Sequence, residues 1–137
     1  ASWAAPRAIR ASLLLAVLSL TAACTTNGSG PMATTSSFGP TVAFEAFVVN
    51  LNEPGSSRYL KTTLEVEVDE AKDVDVVTAA KGVIRDEVLR YLSGLSVAQT
   101  LGEDNKAKIV NEVKERISRV VGERRIVRVL INEFVVQ

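Results

Sequence analysis

The hydrophobic period of this chain switches from two residues to three or four and back again, and that switch limits the fold more than any single motif. From Tyr59 to Asp69, Leu60, Thr62, Leu64, Val66 and Val68 alternate with Lys61, Thr63, Glu65, Glu67 and Asp69. Successive side chains of an extended strand point to opposite faces, so this segment reads as a strand with one buried side. Upstream, Val42–Leu51 is β-rich and mostly apolar, and the stretch Asn50–Ser57 contains Pro54-Gly55, a pair that favours a type II turn. The two runs predict a long antiparallel hairpin.

Beyond Asp69 the spacing becomes helical. Val77, Ala80, Ile84, Val88 and Tyr91 or Leu92 recur every three or four residues, which predicts an amphipathic helix capped by Asp73, running to about Ser93 and ended by Gly94. Ser96-Val-Ala-Gln99 has the form of a capping box for one short turn. A second helix, Glu103–Val121, sets Ile109, Val110, Val113, Ile117, Val120 and Val121 on one stripe before Gly122 closes it. The β-branched run Arg124–Val136 then returns to a strand. This order predicts an α+β domain: an antiparallel sheet, built from the hairpin and the C-terminal strand, with the two amphipathic helices packed on one face.

Composition narrows the chemistry. The 137 residues include no His and one Cys, so the described side-chain repertoire lacks what a His or Cys metal site, a Cys/His couple or a Ser/His/Asp triad requires. Sixteen Lys and Arg balance sixteen Asp and Glu, which leaves no global field to draw in nucleic acid. Glu65, Glu67 and Asp69 share a strand face and in principle suit a cation or an acid/base pair; with Lys61 beside them, a solvent-facing sheet surface is the better reading. The expectation is a binding or structural protein with no catalytic, cofactor or metal site.

The N-terminal part carries an address. Arg7 and Arg10 precede the uncharged, Leu- and Ala-rich run Ala11–Ala23, and the chain's single Cys follows at once as Cys24. A basic region, a short apolar region and small residues before a cut describe a secretory signal peptide. Its thirteen residues fall short of the roughly 20 needed to span a bilayer. Leu20-Thr21-Ala22-Ala23-Cys24 resembles the lipobox of bacterial lipoproteins, in which the Cys becomes the acylated N-terminus. The expected organisation is a signal peptide over 1–23, the lipidated Cys24 and a Gly-, Ser- and Thr-rich linker over 24–40, and a folded domain over 41–137. Such a linker has a typical end-to-end distance of about 20 to 24 Å, enough to hold the domain just off a membrane surface.

Three fragments of the folded part then resemble one family. Phe47-Val-Val-Asn50-Leu51-Asn52-Glu-Pro54-Gly55 followed by Arg58-Tyr59-Leu60-Lys61, the helical Ile84-Arg85-Asp86-Glu87-Val88-Leu89-Arg90-Tyr91-Leu92-Ser93, and the ending Asn132-Glu133-Phe134-Val135-Val136-Gln137 are similar, in order, to the flagellar basal body-associated FliL family. The resemblance runs from about Ala43 to Gln137. It implies a periplasmic domain of stomatin-like (SPFH-like) fold, non-catalytic, that assembles into homo-oligomeric rings around or beside the stator proteins of the flagellar motor and supports stator engagement and torque. Family members usually carry a transmembrane helix where this chain has a lipoprotein-type signal. Thr26, the second residue after Cys24, stands where an Asp retains lipoproteins in the inner membrane of enteric bacteria. That rule favours the outer membrane, and with it an alternative role as an envelope scaffold binding another periplasmic ring of the motor.

Two charged surfaces invite contacts. Arg85, Asp86 and Arg90, with Glu87, form a helix face suited to a neighbouring subunit or partner, or else a solvated face in which Asp86 and Arg90 pair locally for about 0.2 to 0.5 kcal/mol. Arg116, Arg119, Arg124, Arg125 and Arg128 make a basic stretch, but Glu112, Glu115 and Glu123 are interleaved, so a mixed surface is expected.

Overall fold

The computed structural model describes residues Phe38–Gln137; the expected signal peptide, Cys24 and most of the linker lie outside the described residues. Four strands and four α-helices follow in the order β1 (Thr41–Ala43), β2 (Phe47–Asn50), β3 (Tyr59–Val68), α1 (Ala71–Ala79), α2 (Lys81–Ser93), α3 (Val97–Thr100), α4 (Glu103–Val121) and β4 (Ile126–Val136), with a 3-10 turn at Glu123–Arg125 before β4. The expected α+β arrangement is what forms: one antiparallel sheet with the helices layered on it.

β3 lies at the centre. β4 pairs with it along one edge, from Val68↔Ile126 to Leu60↔Val136, while β1 and β2 share the other edge. Leu60, Thr62, Leu64, Val66 and Val68, the alternating set, are all buried. α1 packs on β1 and β3, α2 on β2, and α4 on β4, and α2 and α4 also pack on each other. Between sheet and helices lie Phe47, Val77, Ile84, Val88, Val113 and Ile117, each at most 1% exposed.

The first strand departs from the continuous run expected over Val42–Leu51. Ala43 opposes Glu65 and Phe47 opposes Thr62, so three residues of the edge face two of β3. That one-residue excess is a β-bulge, and its cause is in the side chains. Val42 and Phe44 must point inward, and so must Phe47, Val49 and Leu51, all of them buried. The first pair is even-numbered and the second set odd; a strand of period two can face both inward only by gaining a residue between them. β4 obeys the same rule twice. Its inward residues run Ile126, then Val129 and Ile131, then Phe134 and Val136, and the register slips at both changes of parity, leaving Val127 and Asn132 as the extra residues.

The helix expected from Asp73 to Ser93 is divided. It starts at Ala71, with Asp73 in its first turn accepting the Glu70 N–H at 3.3 Å rather than preceding the helix, and it bends at Ala80. There the Ala80 N–H is shared between the carbonyls of Val76 (3.2 Å) and Val77 (3.1 Å), while Ile84 N–H still reaches Ala80 O at 3.0 Å. The tightened turn turns α1 toward β1 and α2 toward β2 while both Val77 and Ile84 stay fully buried. Other local readings hold as expected: Gln99 Oε1 accepts the Ser96 N–H at 2.9 Å, and Gly55 takes the positive φ of 82° that the second central position of a type II turn demands.

The inward face of α2 is testable at adjacent positions. Ile84→Ala is expected to lower the unfolding free energy by about 2 to 5 kcal/mol. Val83→Ala, at a side chain 59% exposed, should change it by less than about 0.5 kcal/mol. Urea denaturation of both variants checks this, and equal costs would contradict the assigned face.

Candidate functional site

Arg85, Asp86 and Arg90 are adjacent on α2 but do different work. Arg85 turns toward the sheet, where its two terminal nitrogens donate to Glu45 O (3.1 Å) and Ala46 O (2.9 Å), and its guanidinium lies 4.7 Å from the centre of the Phe47 ring. Those carbonyls belong to the bulge between β1 and β2, which has no strand partner to satisfy them; a rigid fork of donors answers two at once. One turn earlier Lys81 sits 5.5 Å over Phe44. Asp86 and Arg90 face solvent and pair with each other at 2.8 Å, in the i, i+4 geometry read from the sequence. Arg85 is therefore occupied within its own domain, and Asp86 with Arg90 is the part of the trio left on the surface.

Glu87 reaches across the helix pair. Arg116 of α4 lies 3.6 Å from Glu87 and 2.8 Å from Glu112, Arg119 lies 3.6 Å from the same Glu112, and the Arg116 guanidinium rests 4.9 Å from the Tyr91 ring centre. Burial, then the Glu112 carboxylate, push the Tyr91 hydroxyl above its usual range, with Arg116 opposing. The Arg116 Nε is buried and contacts Glu112 without an in-line hydrogen bond, so the contact is chiefly one of charge. Glu112, Arg116 and Arg119 of α4, with Glu87 of α2, thus form a mixed cluster of paired charges.

On the sheet face away from the helices, two of the three carboxylates considered for a cation or acid/base role, Glu65 and Glu67, are engaged elsewhere. Lys61 bonds Glu133 at 3.0 Å, Asn132 donates to Glu65 at 2.7 Å, and Arg128 donates to Glu67. Glu67 is only 3% exposed, accepts the Gly39 N–H at 2.8 Å as well, and is held below the ordinary value of 4.5 first by Arg128 and then by Gly39. The Arg128 guanidinium in turn lies 4.9 Å from the Phe38 ring centre. Near this end of the sheet Asp73, almost fully buried, pairs with Arg125. Sequence reading missed the Glu67, Arg128 and Phe38 grouping because its members are 61 and 29 residues apart; the signal for it was a carboxylate on β3 and an arginine on a strand bound to pair with β3.

Among the described residues the exposed large apolar side chains are Phe38 before β1, Val48 on β2, Tyr59 at the start of β3, Val83 on α2, Leu101 after α3 and Val127 in a bulge of β4. Among the described residues no helix is long and apolar enough to cross a membrane. Geometry of this kind, with charges paired and backbone edges open on β4, suits contacts between proteins.

The family model described as flagellar basal body-associated protein FliL matches residues 41–137. The chain belongs to the FliL family. Its FliL domain takes in every strand and helix of the structure, from β1 through β4. A relative from Aquifex aeolicus (strain VF5), called flagellar protein FliL, is 26% identical over 91 residues, which cover 66% of this chain and 56% of the relative. The chain thus matches little more than half the length of that curated relative. The fragments that carry the resemblance to FliL meet in space: Arg85 of the helical fragment lies on Phe47 of the hairpin fragment, and the terminal Gln137 exchanges backbone hydrogen bonds of 2.8 and 2.9 Å with Tyr59.

Substitution separates the two kinds of α2 residue. Arg85→Ala leaves the Glu45 and Ala46 carbonyls without their donor and bares the Phe47 ring, an expected cost of about 1 to 3 kcal/mol. Asp86→Ala removes an exposed ion pair and should cost less than about 0.5 kcal/mol. Thermal melting of the two variants measures the difference; a larger loss for Asp86→Ala would contradict the assignment.

Proposed function

We propose that this FliL domain is a non-catalytic accessory of the flagellar motor, held in the periplasm by a lipid on Cys24 and acting as a homo-oligomeric ring around or beside the stator units. The observation that carries the reading is the family match across the whole folded part, residues 41–137. The mixed, paired charges of α2 and α4 are compatible with repeated protein contacts, and a stomatin-like topology is consistent with the two-layer α+β fold. In such a ring each contact is weak, but joining many copies raises the effective concentration of every site, so a partner is held in its working shape by the sum. Asp86 and Arg90 are the surface charges proposed to meet a neighbouring subunit or partner, while Arg85 shapes the strand edge beside them.

Thr26 favours a second reading, in which the lipid sits in the outer membrane and the domain binds another periplasmic ring of the motor. Pull-down with stator proteins separates the two readings: recovery supports the first, and recovery of an outer ring component without stators supports the second.

Deletion of the gene is expected to leave filaments in place while swimming speed in viscous medium and swarming fall, and Cys24→Ser should reproduce the loss. Speed measured against viscosity, with filaments counted by electron microscopy, is the check. Normal swimming and swarming under viscous load would contradict the proposal.

A further inference from the structure

The strand nearest the N-terminal linker is also the shortest in the sheet. β1 offers only Thr41↔Glu67, Val42↔Val66 and Ala43↔Glu65 as its register with β3, at the outer edge of the fold. Three rungs of an antiparallel ladder, pulled from one end, open one at a time and hold little on their own. Here they are reinforced from both sides.

On the linker side, three residues are bonded down. Pro40 O accepts the Val68 N–H at 2.9 Å, Gly39 N–H donates to the Glu67 carboxylate at 2.8 Å, and the Phe38 ring lies under the Arg128 guanidinium. Arg128 belongs to β4 on the opposite edge and donates to the same Glu67, so the segment before β1 is tied through one carboxylate to both β3 and β4. Hydrogen bonds to ionised groups are about twice as strong as neutral ones. Burial of a carboxylate on an otherwise wet face is tolerated only with both partners present, and Phe38 and Gly39 are part of what covers it. Gly39 approaches as closely as a residue without Cβ allows: a Cβ there would stand 3.0 Å from Val68 O and 3.3 Å from Glu67 Oε1. On the other side of β1 the bulge is held by Arg85 through Glu45 O and Ala46 O, and Phe44 is buried beneath it.

We propose that Phe38–Ala43 is a releasable strap, locked at Glu67 and Arg128 and stopped at the bulge that Arg85 holds, so that tension on the N-terminal linker lengthens the tether before it unfolds the core. The proposal rests on the N-terminal tethering put forward above. Release frees six residues, about 20 Å of extended chain, and exposes Val42 while leaving β2, β3, β4 and the helices paired. Beyond that point Arg85, Phe44 and Phe47 resist further peeling. The domain would then act as a compliant link, yielding by a fixed length while its contact surfaces stay folded.

Two measurements on the purified, unlipidated full chain test it. Hydrogen exchange is expected to show the Val42 and Val66 amides, together with the Val68 amide that bonds Pro40, exchanging about tenfold faster in Gly39→Ala than in the native chain, with the β3–β4 amides unchanged. The added Cβ of Gly39→Ala meets the Val68 carbonyl and the Glu67 side chain but no core side chain, so the packed core is kept; Arg128→Met, which removes the cation from Glu67 and Phe38 together, should act in the same direction. In an optical trap, with handles on the thiols of Cys24 and of an Asp86→Cys variant, a short step set by the six freed residues should precede the main unfolding event, and Gly39→Ala should lower the force of that step alone. A single all-or-none event, or native exchange rates in Gly39→Ala, would overturn the strap. Both readouts come from the isolated chain and are independent of the motility assay, so a strap that fails while deletion still impairs swimming leaves the motor reading standing.

Discussion

Every strand of this domain is attached to β3, and the fold depends on that strand having a helix-covered face and two usable edges at once. Its five inward residues, Leu60 to Val68, supply the floor of the core, while its outward carboxylates supply the anchor points for other segments. At about 25 cal/mol per Å² of apolar surface removed from water, the four apolar members of this row outweigh any single ion pair on the outer face. The charges therefore place and orient segments, and apolar burial holds them. A substitution that shifted the register of β3 by one residue would move the whole row to the wet side, which is why its neighbours adapt to it by bulging rather than the reverse.

The adaptation is visible in the sequence once the rule is known. Period two in β3 and the stripe of α4 were legible directly, and so were the capping box at Ser96 and Gln99 and the turn at Pro54-Gly55. The bulges were legible only in retrospect: the change from even Val42 and Phe44 to odd Phe47, Val49 and Leu51 is a parity break, easily read as a generally apolar strand. The bend at Ala80 left less trace. Val77, Ile84 and Val88 keep helical spacing through it, because a shared hydrogen bond changes the helix direction without changing which side chains face inward.

Charged residues were the least legible part. A helical run of alternating signs says which residues lie on the surface but not which one reaches a backbone carbonyl far away in sequence. Arg85 was grouped with Asp86 and Arg90 by adjacency, yet successive residues on a helix diverge by about 100°, and the bulge supplied Arg85 with two acceptors 39 and 40 residues earlier. Glu67 was grouped with Glu65 and Asp69 by alternation, yet it is the one of them that meets Arg128 and Gly39. Backbone geometry made by the fold decides such partnerships, and pattern alone does not carry it.

The ion pairs, the open edge of β4 and the bonding of Phe38–Pro40 to β3 and β4 are the features on which the proposed load-bearing role rests. Membership of the FliL family associates the domain with the flagellar basal body. The most direct measurement is electron cryotomography of motors in intact cells, comparing the native strain with one lacking this protein. The account predicts a periplasmic ring density at or beside the stator units that disappears on deletion and returns on complementation. Identical motors in the two strains would contradict it.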